Sequence, residues 1–191
     1  MQNQSRAPAR LYRGPAAFSP FRLERVRRAL ADAVDGLGDI GTRYVFLVWS
    51  ERAPDAAEEA RLCALLDAAP ATATADDAFA IYTAPRLGTM SPWSSKATDI
   101  VRNCGFTAIA RIERAIRWDI AGATPANAAR LMPLLHDRMT EFATTDLALL
   151  REDAAVAARP LGRVPLAAEG VEALRAADRA LGLALAADEI D

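Results

Sequence analysis

The densest group of polar side chains falls in one stretch, Pro85-Arg86-Leu87-Gly88-Thr89-Met90-Ser91-Pro92-Trp93-Ser94-Ser95-Lys96-Ala97-Thr98-Asp99-Ile100. A glycine-containing loop there feeds the start of a helix, with hydroxyls and two cations nearby. The first N–H groups of a helix lack intrahelical acceptors and lie at the positive end of its dipole, so this stretch offers a place for a phosphate or carboxylate. Arg86, Ser94, Ser95 and Lys96 are the candidate contacts. The same residues admit a structural reading, in which Ser91 caps the helix, Trp93 anchors it, and Arg86 and Lys96 pair with neighbours such as Asp99. Lys96 also stands out by type, because 22 of the 23 basic residues are Arg. An ammonium is a compact point charge that a planar guanidinium fork does not imitate in a tight site, so a site that needs lysine would keep it.

The remaining chemistry is sparse. His136, followed by Asp137 and Arg138, would need a cleft and a partner carboxylate to act as acid or base. Asp76-Asp77 reads as a solvated turn rather than a metal site. Cys63 and Cys104 fall on or beside apolar helical faces, where thiols behave as small hydrophobes, and neither has a base nearby in sequence. No phosphate-binding loop, dinucleotide-type glycine pattern, nucleophile elbow or zinc-ligand spacing occurs, so no catalytic residue and no metal site is assigned.

The elements that position these residues can be read from caps and periodicity. Ser19-Pro20 starts a helix whose apolar face is Phe21, Val26, Leu30, Ala33, Val34 and Leu37, closed by Gly36 and Gly38. Arg43 to Glu51 reads as a central strand, apolar on both faces. Asp55-Ala-Ala-Glu58 is a capping box for a helix from about Ala56 to Ala68, with Pro70 beyond it and a loop from Ala71 to Asp77. Ala78 to Thr83 is strand-like. Ser91-Pro92 starts a helix with a Trp93, Ala97, Ile100, Val101, Cys104 stripe, closed by Gly105. Phe106 to Ile120 alternates as a long half-exposed strand. Thr124-Pro125 opens a helix with a Leu131, Leu135, Met139, Phe142 face, kinked or restarted near Pro133.

At 191 residues, against roughly 150 per domain, the chain fits one domain and an appendage. Strand and helix alternate twice, and each half has its Ser-Pro-aromatic helix start: Ser19-Pro20-Phe21 and Ser91-Pro92-Trp93. The fold class predicted is therefore α+β, a duplicated ferredoxin-like domain over residues 11–143, followed by a small α-helical segment. Residues 1–10 are read as disordered or irregular and 144–164 as a linker. Residues 165–191 begin a helical domain, with helices at Glu169 to Arg179 and Leu183 to Glu189, the last cut short as in a fragment. A formal charge of −2 with no run of like charge argues against a nucleic-acid or membrane partner, and the absence of a secretory pattern favours the cytoplasm.

The stretch from Pro85 to Ile100, continued by Asn103-Cys104-Gly105, Ile112-Glu113-Arg114 and His136-Asp137-Arg138-Met139, resembles the N-terminal region of the phosphoribosylformylglycinamidine synthase family. Leu181-Gly182-Leu183-Ala184-Leu185-Ala186-Ala187-Asp188-Glu189-Ile190-Asp191 extends the resemblance to the last residue. It implies a part of a ligase that converts formylglycinamide ribonucleotide, ATP and glutamine to formylglycinamidine ribonucleotide, ADP, phosphate and glutamate. It further implies an N-terminal domain like a fused dimer of the small structural subunit, then a helical linker. The synthetase and glutaminase domains of the same polypeptide would be its partners, and ATP and magnesium would bind there. No family catalytic residue maps here, so the resemblance implies an inactive support piece. A free-standing anion-binding or regulatory module of ferredoxin-like type is the other reading.

Overall fold

A computed structural model describes residues 9–71, 79–152 and 161–190. The chain divides into two compact units, Met1–Val156 and Ala157–Asp191. In the first, the elements are β1 (Arg10–Arg13), α1 (Pro20–Ala31), β2 (Ile40–Ser50), α2 (Ala56–Leu66), β3 (Ala69–Ala71), β4 (Ile81–Pro85), α3 (Pro92–Asn103), β5 (Ile109–Ile120), α4 (Pro125–Leu135), β6 (Glu141–Thr144) and α5 (Leu147–Arg151). The Asp76-Asp77 pair lies outside the described residues.

The helix starts follow from local chemistry. Ser19 and Ser91 each accept the N–H three residues on, with proline at the first helical position. Asp55 and Glu58 close a reciprocal capping box on α2, which ends when Asp67 turns left-handed at φ 48°.

All six strands form one antiparallel sheet in the order β3-β1-β2-β5-β4-β6, with the long β2 and β5 paired from Ile40↔Ile120 to Val48↔Ile112 and beyond a bulge near Ser50. Read from either edge, the order is the third, first and second strand of a half. The paired helices match in length too, α1 with α3 at 12 residues and α2 with α4 at 11. The fold is thus mixed α/β on a six-stranded antiparallel sheet.

Both sheet faces are covered. Even-numbered residues of β2 and β5 point into the helical layer, where Phe46, Val48 and Ile112 pack with Leu62 and Val101, and Trp118 and Ile120 with Leu30 and Leu131. On the opposite face Leu47, Trp49, Tyr82 and Ala115 pack with Leu150 of α5. β5 is therefore central rather than half-exposed. Two of its charged residues on this second face, Arg117 and Glu113, are buried, each paired with a half-buried partner: Arg117 with Asp119 at 2.7 Å and Glu113 with Arg111 at 3.2 Å.

Four other expectations change. Phe21 is 77% exposed, and α1 turns Leu23, Val26 and Leu30 inward instead. Edge strand β3 comes from Ala69-Pro70-Ala71, where proline is tolerated because an edge residue can do without a ladder donor. α4 runs through Pro133 but stops at Leu135 instead of continuing to Phe142. His136 is extended, and Asp137 accepts from the Met139 N–H at 2.8 Å and the Thr140 hydroxyl at 3.1 Å, a side-chain turn that competes with the helix. Met139 is consequently exposed and Phe142 lies in β6. The anticipated linker from Thr144 begins inside that strand, and Leu150 beyond it is a core residue.

The second unit contains α6 (Leu166–Glu169), α7 (Val171–Leu181) and α8 (Ala187–Ile190). Gly182, left-handed at φ 63°, ends α7, where the side chain of any other residue would be strained.

Candidate functional site

β5 has two long edges, and β4 covers little of one. Pairing runs only over Ile81↔Trp118, Tyr82↔Arg117 and Thr83↔Ile116. In this register the next outward-facing partner of Arg114 would be Pro85, which has no N–H to donate, so the ladder stops. Helix α3 takes over further along. The buried Ser94 hydroxyl donates to the Ile112 carbonyl at 2.5 Å, the Ile112 N–H donates to Thr98 Oγ1 at 3.1 Å, and Arg102 reaches the carbonyls of Ile109 and Ala110. Three residues at i, i+4 and i+8 thus satisfy backbone groups that an unpaired strand would leave orphaned.

This geometry places each candidate from the sequence. Ser94, Thr98 and Val101 are the buried residues of α3, whereas Ile100 and Cys104 of the expected stripe are exposed. Ser95 and Lys96 lie on the exposed side of the same helix. Arg86 is exposed and its guanidinium donates to the Met139 carbonyl at 3.4 Å. The four therefore do not converge on one point. Among the described residues Lys96 and Asp99 have no ion-pair partner, so the anticipated pairing is absent, but Ser91 does cap α3 and Trp93 stacks on Phe46 with ring centres 5.8 Å apart.

Burial, and to a lesser extent Glu59, pushes the Cys63 thiol up, away from the reactive thiolate, and Cys104 is exposed. Among the described residues no group of three or more His, Cys, Asp or Glu could hold a metal ion. Those residues therefore give no fit to a magnesium site, and no step is derived through one. No helix among them is long and apolar enough to cross a membrane.

Where β4 leaves β5, the helical face opens into a cleft of about 650 Å³. Its floor is Tyr44, Ile116 and Arg114; Phe18 and Arg22 stand on one side, Ser91 and Trp93 on another, and His136, Asp137, Thr140 and Glu141 close the end. Arg114 lies between two rings, 5.0 Å from the centre of Tyr44 and 4.9 Å from that of Trp93. Arg22 lies 4.1 Å over Phe18. Glu113 is 3% exposed and fully engaged: it accepts from the Ser91 hydroxyl at 2.7 Å, the Ser91 N–H at 3.2 Å, the Arg114 N–H at 3.0 Å and Arg111 at 3.2 Å. The sequence reading did not find this cleft, because its residues come from most of the first unit. One local signal existed: Arg114 interrupts the apolar even-numbered face of its strand, a place where a charge needs a reason.

The model of the formylglycinamide ribonucleotide amidotransferase N-terminal family matches residues 43–152, more than half of the 191 residues. The chain belongs to that family. Membership ties it, as an N-terminal region, to phosphoribosylformylglycinamidine synthase, a ligase of purine biosynthesis. The matched span runs from within β2 past α5, so it takes in the α3–β5 seam and most of the cleft.

Proposed function

We propose that this chain is the non-catalytic assembly region of a phosphoribosylformylglycinamidine synthase, the ATP- and glutamine-dependent enzyme that makes formylglycinamidine ribonucleotide in the cytoplasm. It docks the synthetase and glutaminase domains of the same polypeptide and helps enclose the path by which ammonia passes between them. ATP and magnesium bind in those domains. The observation that carries this reading is the family match over the sheet and its helices. The mirrored strand order and equal helix lengths support a duplicated origin, with each half standing for one copy of a small structural subunit of ferredoxin-like type.

The chemistry of the described side chains is in keeping with a supporting role. Burial holds the Cys63 thiol away from its reactive thiolate form, and the Ser94 and Thr98 hydroxyls of α3 are spent on strand backbone. Purified residues 1–191 should show no glutaminase and no ATP-dependent synthesis; measurable turnover of either kind would refute the assignment. In the complete enzyme, Lys96→Ala should impair synthesis more than Lys96→Arg does, while equal activities would remove Lys96 from the docking surface.

A further inference from the structure

We propose that the cleft over Arg114 is a binding site for a small phosphate monoester that carries hydroxyl groups, such as a sugar phosphate. The site belongs to this chain itself and does not depend on the activity of any other domain. Its volume, about 650 Å³, lies within the usual range for small-molecule pockets.

The argument rests on which polar groups around the cleft are already committed. Among the described residues, the guanidiniums of Arg22 and Arg114 make ring contacts but no ion pair or side-chain hydrogen bond. Stacking fixes the plane of each guanidinium and leaves its N–H edge free, the arrangement that takes a phosphate in bidentate fashion. Arg114 is held between two rings, so little side-chain freedom is lost when it binds.

The carboxylates of the cleft differ in kind. Glu113 is saturated by four donors, whereas Asp137 takes one on each oxygen, the Met139 N–H on Oδ1 and the Thr140 hydroxyl on Oδ2. These acids leave the arginines unneutralised by direct contact. Glu141 receives only the Asp137 N–H, on Oε2, and keeps Oε1 as an acceptor. The His136 ring is tied through Nδ1 to the Met132 carbonyl at 2.7 Å, so Nδ1 carries the proton and Nε2 accepts in the neutral ring. The cleft therefore has a donor wall suited to a phosphate and an acceptor wall suited to hydroxyls. Inorganic phosphate satisfies one wall only, whereas a hydroxylated ester satisfies both.

Trp93 and Trp118 line the cleft and supply a direct readout. Titration of the 191-residue protein with ribose 5-phosphate should give a saturable change in tryptophan fluorescence, at least threefold tighter than inorganic phosphate, with ribose alone inert. Arg22→Ala and Arg114→Lys should each weaken binding about tenfold or more, as expected for losing a charge-assisted pair of hydrogen bonds. Arg22 is exposed, so its variant keeps the test valid if the Arg114 variant folds poorly. No saturable change with ribose 5-phosphate, or unaltered affinity in the Arg22 variant, overturns the site. Equal affinity for ribose 5-phosphate and inorganic phosphate overturns the acceptor wall and with it the ligand class.

Discussion

β2 and β5 pair along their length with Tyr44 opposite Ile116, and their outer edges meet the same problem in different ways. Beside β2, the chain after β1 continues as a backbone partner: the Gly14 N–H donates to the Tyr44 carbonyl at 2.9 Å, the Tyr44 N–H to the Pro15 carbonyl at 2.9 Å, and the Ala17 N–H to the Thr42 carbonyl at 3.3 Å. Beside β5, backbone pairing ends at Thr83, the Arg86 N–H serves the β6 side of β4 by donating to the Thr140 carbonyl, and side chains of α3 do the rest. The first solution closes the sheet; the second leaves room for a cleft. Two halves with the same element order thus differ in what they leave open, because Pro85 lacks a donor where a ladder would continue.

The largest expected effect is on the closed edge. A Cβ at Gly14 would meet Phe46 Cε2 at 2.6 Å, and Phe46 is held by its stack on Trp93. Gly14→Val should therefore destabilise by about 3 kcal/mol through overpacking. That is a fall in melting temperature of roughly 6–12 °C for a unit of this size. A melting temperature within a degree of the parent would break the claim that close backbone approach defines this edge.

On the open edge, Ser94→Ala leaves the Ile112 carbonyl without its buried donor and should cost about 2 kcal/mol. Thr98→Val orphans the Ile112 N–H and should cost about the same, both read from denaturant midpoints. Losses below about 0.5 kcal/mol in both would mean that α3 merely lies beside the strand rather than completing it.

Pro85→Ala sharpens the comparison by returning a donor to the place where pairing stops. The new amide should gain hydrogen-exchange protection, and the cleft should bind phosphate esters more weakly because its floor is narrowed. An unprotected amide at position 85 would show that something other than the missing N–H keeps the strands apart.

The smallest effect concerns the second helix of each half. The Arg52 side chain and the Asp55 N–H together hold the Glu58 carboxyl at about 2, well below its ordinary 4.5, whereas the equivalent cap of α4 is neutral, with Asn127 Oδ1 accepting from the Thr124 N–H at 2.8 Å. A carboxyl lowered in the folded state adds stability above its unfolded pKa and loses it as pH falls toward the folded value. Between pH 5 and 2, then, α2 should lose amide protection before α4, and Arg52→Ala should raise the Glu58 midpoint toward 4.5 in an NMR titration. Protection lost first in α4 would remove this contrast.

Sequence was most informative where structure is set by neighbours along the chain. The two Ser-Pro starts, the Asp55–Glu58 box and the doubly apolar run from Tyr44 to Trp49 all appear as read. It was least informative where distant partners decide. Edge strands β3 and β6 are too short for periodicity to register, and each exists because a longer strand lies next to it. The inward face of α3 was misjudged because apolar counting ignores hydroxyls, while Ser94 and Thr98 are buried through bonds to β5. The four candidates from the loop and helix start share a stretch of chain but no concave surface, and the arginines that do share one are 92 positions apart.

The Ala9 N–H donates to the Arg151 carbonyl, the Arg151 guanidinium donates back to the Ala9 carbonyl, and the Trp49 indole adds a third bond to that same Arg151 oxygen. A clasp between positions 142 apart cannot form until nearly the whole first unit has left the ribosome. Until then the incomplete sheet carries an unclosed side, and contacts this far apart in sequence are slow to form. During synthesis that side stays uncovered until Arg151 has emerged.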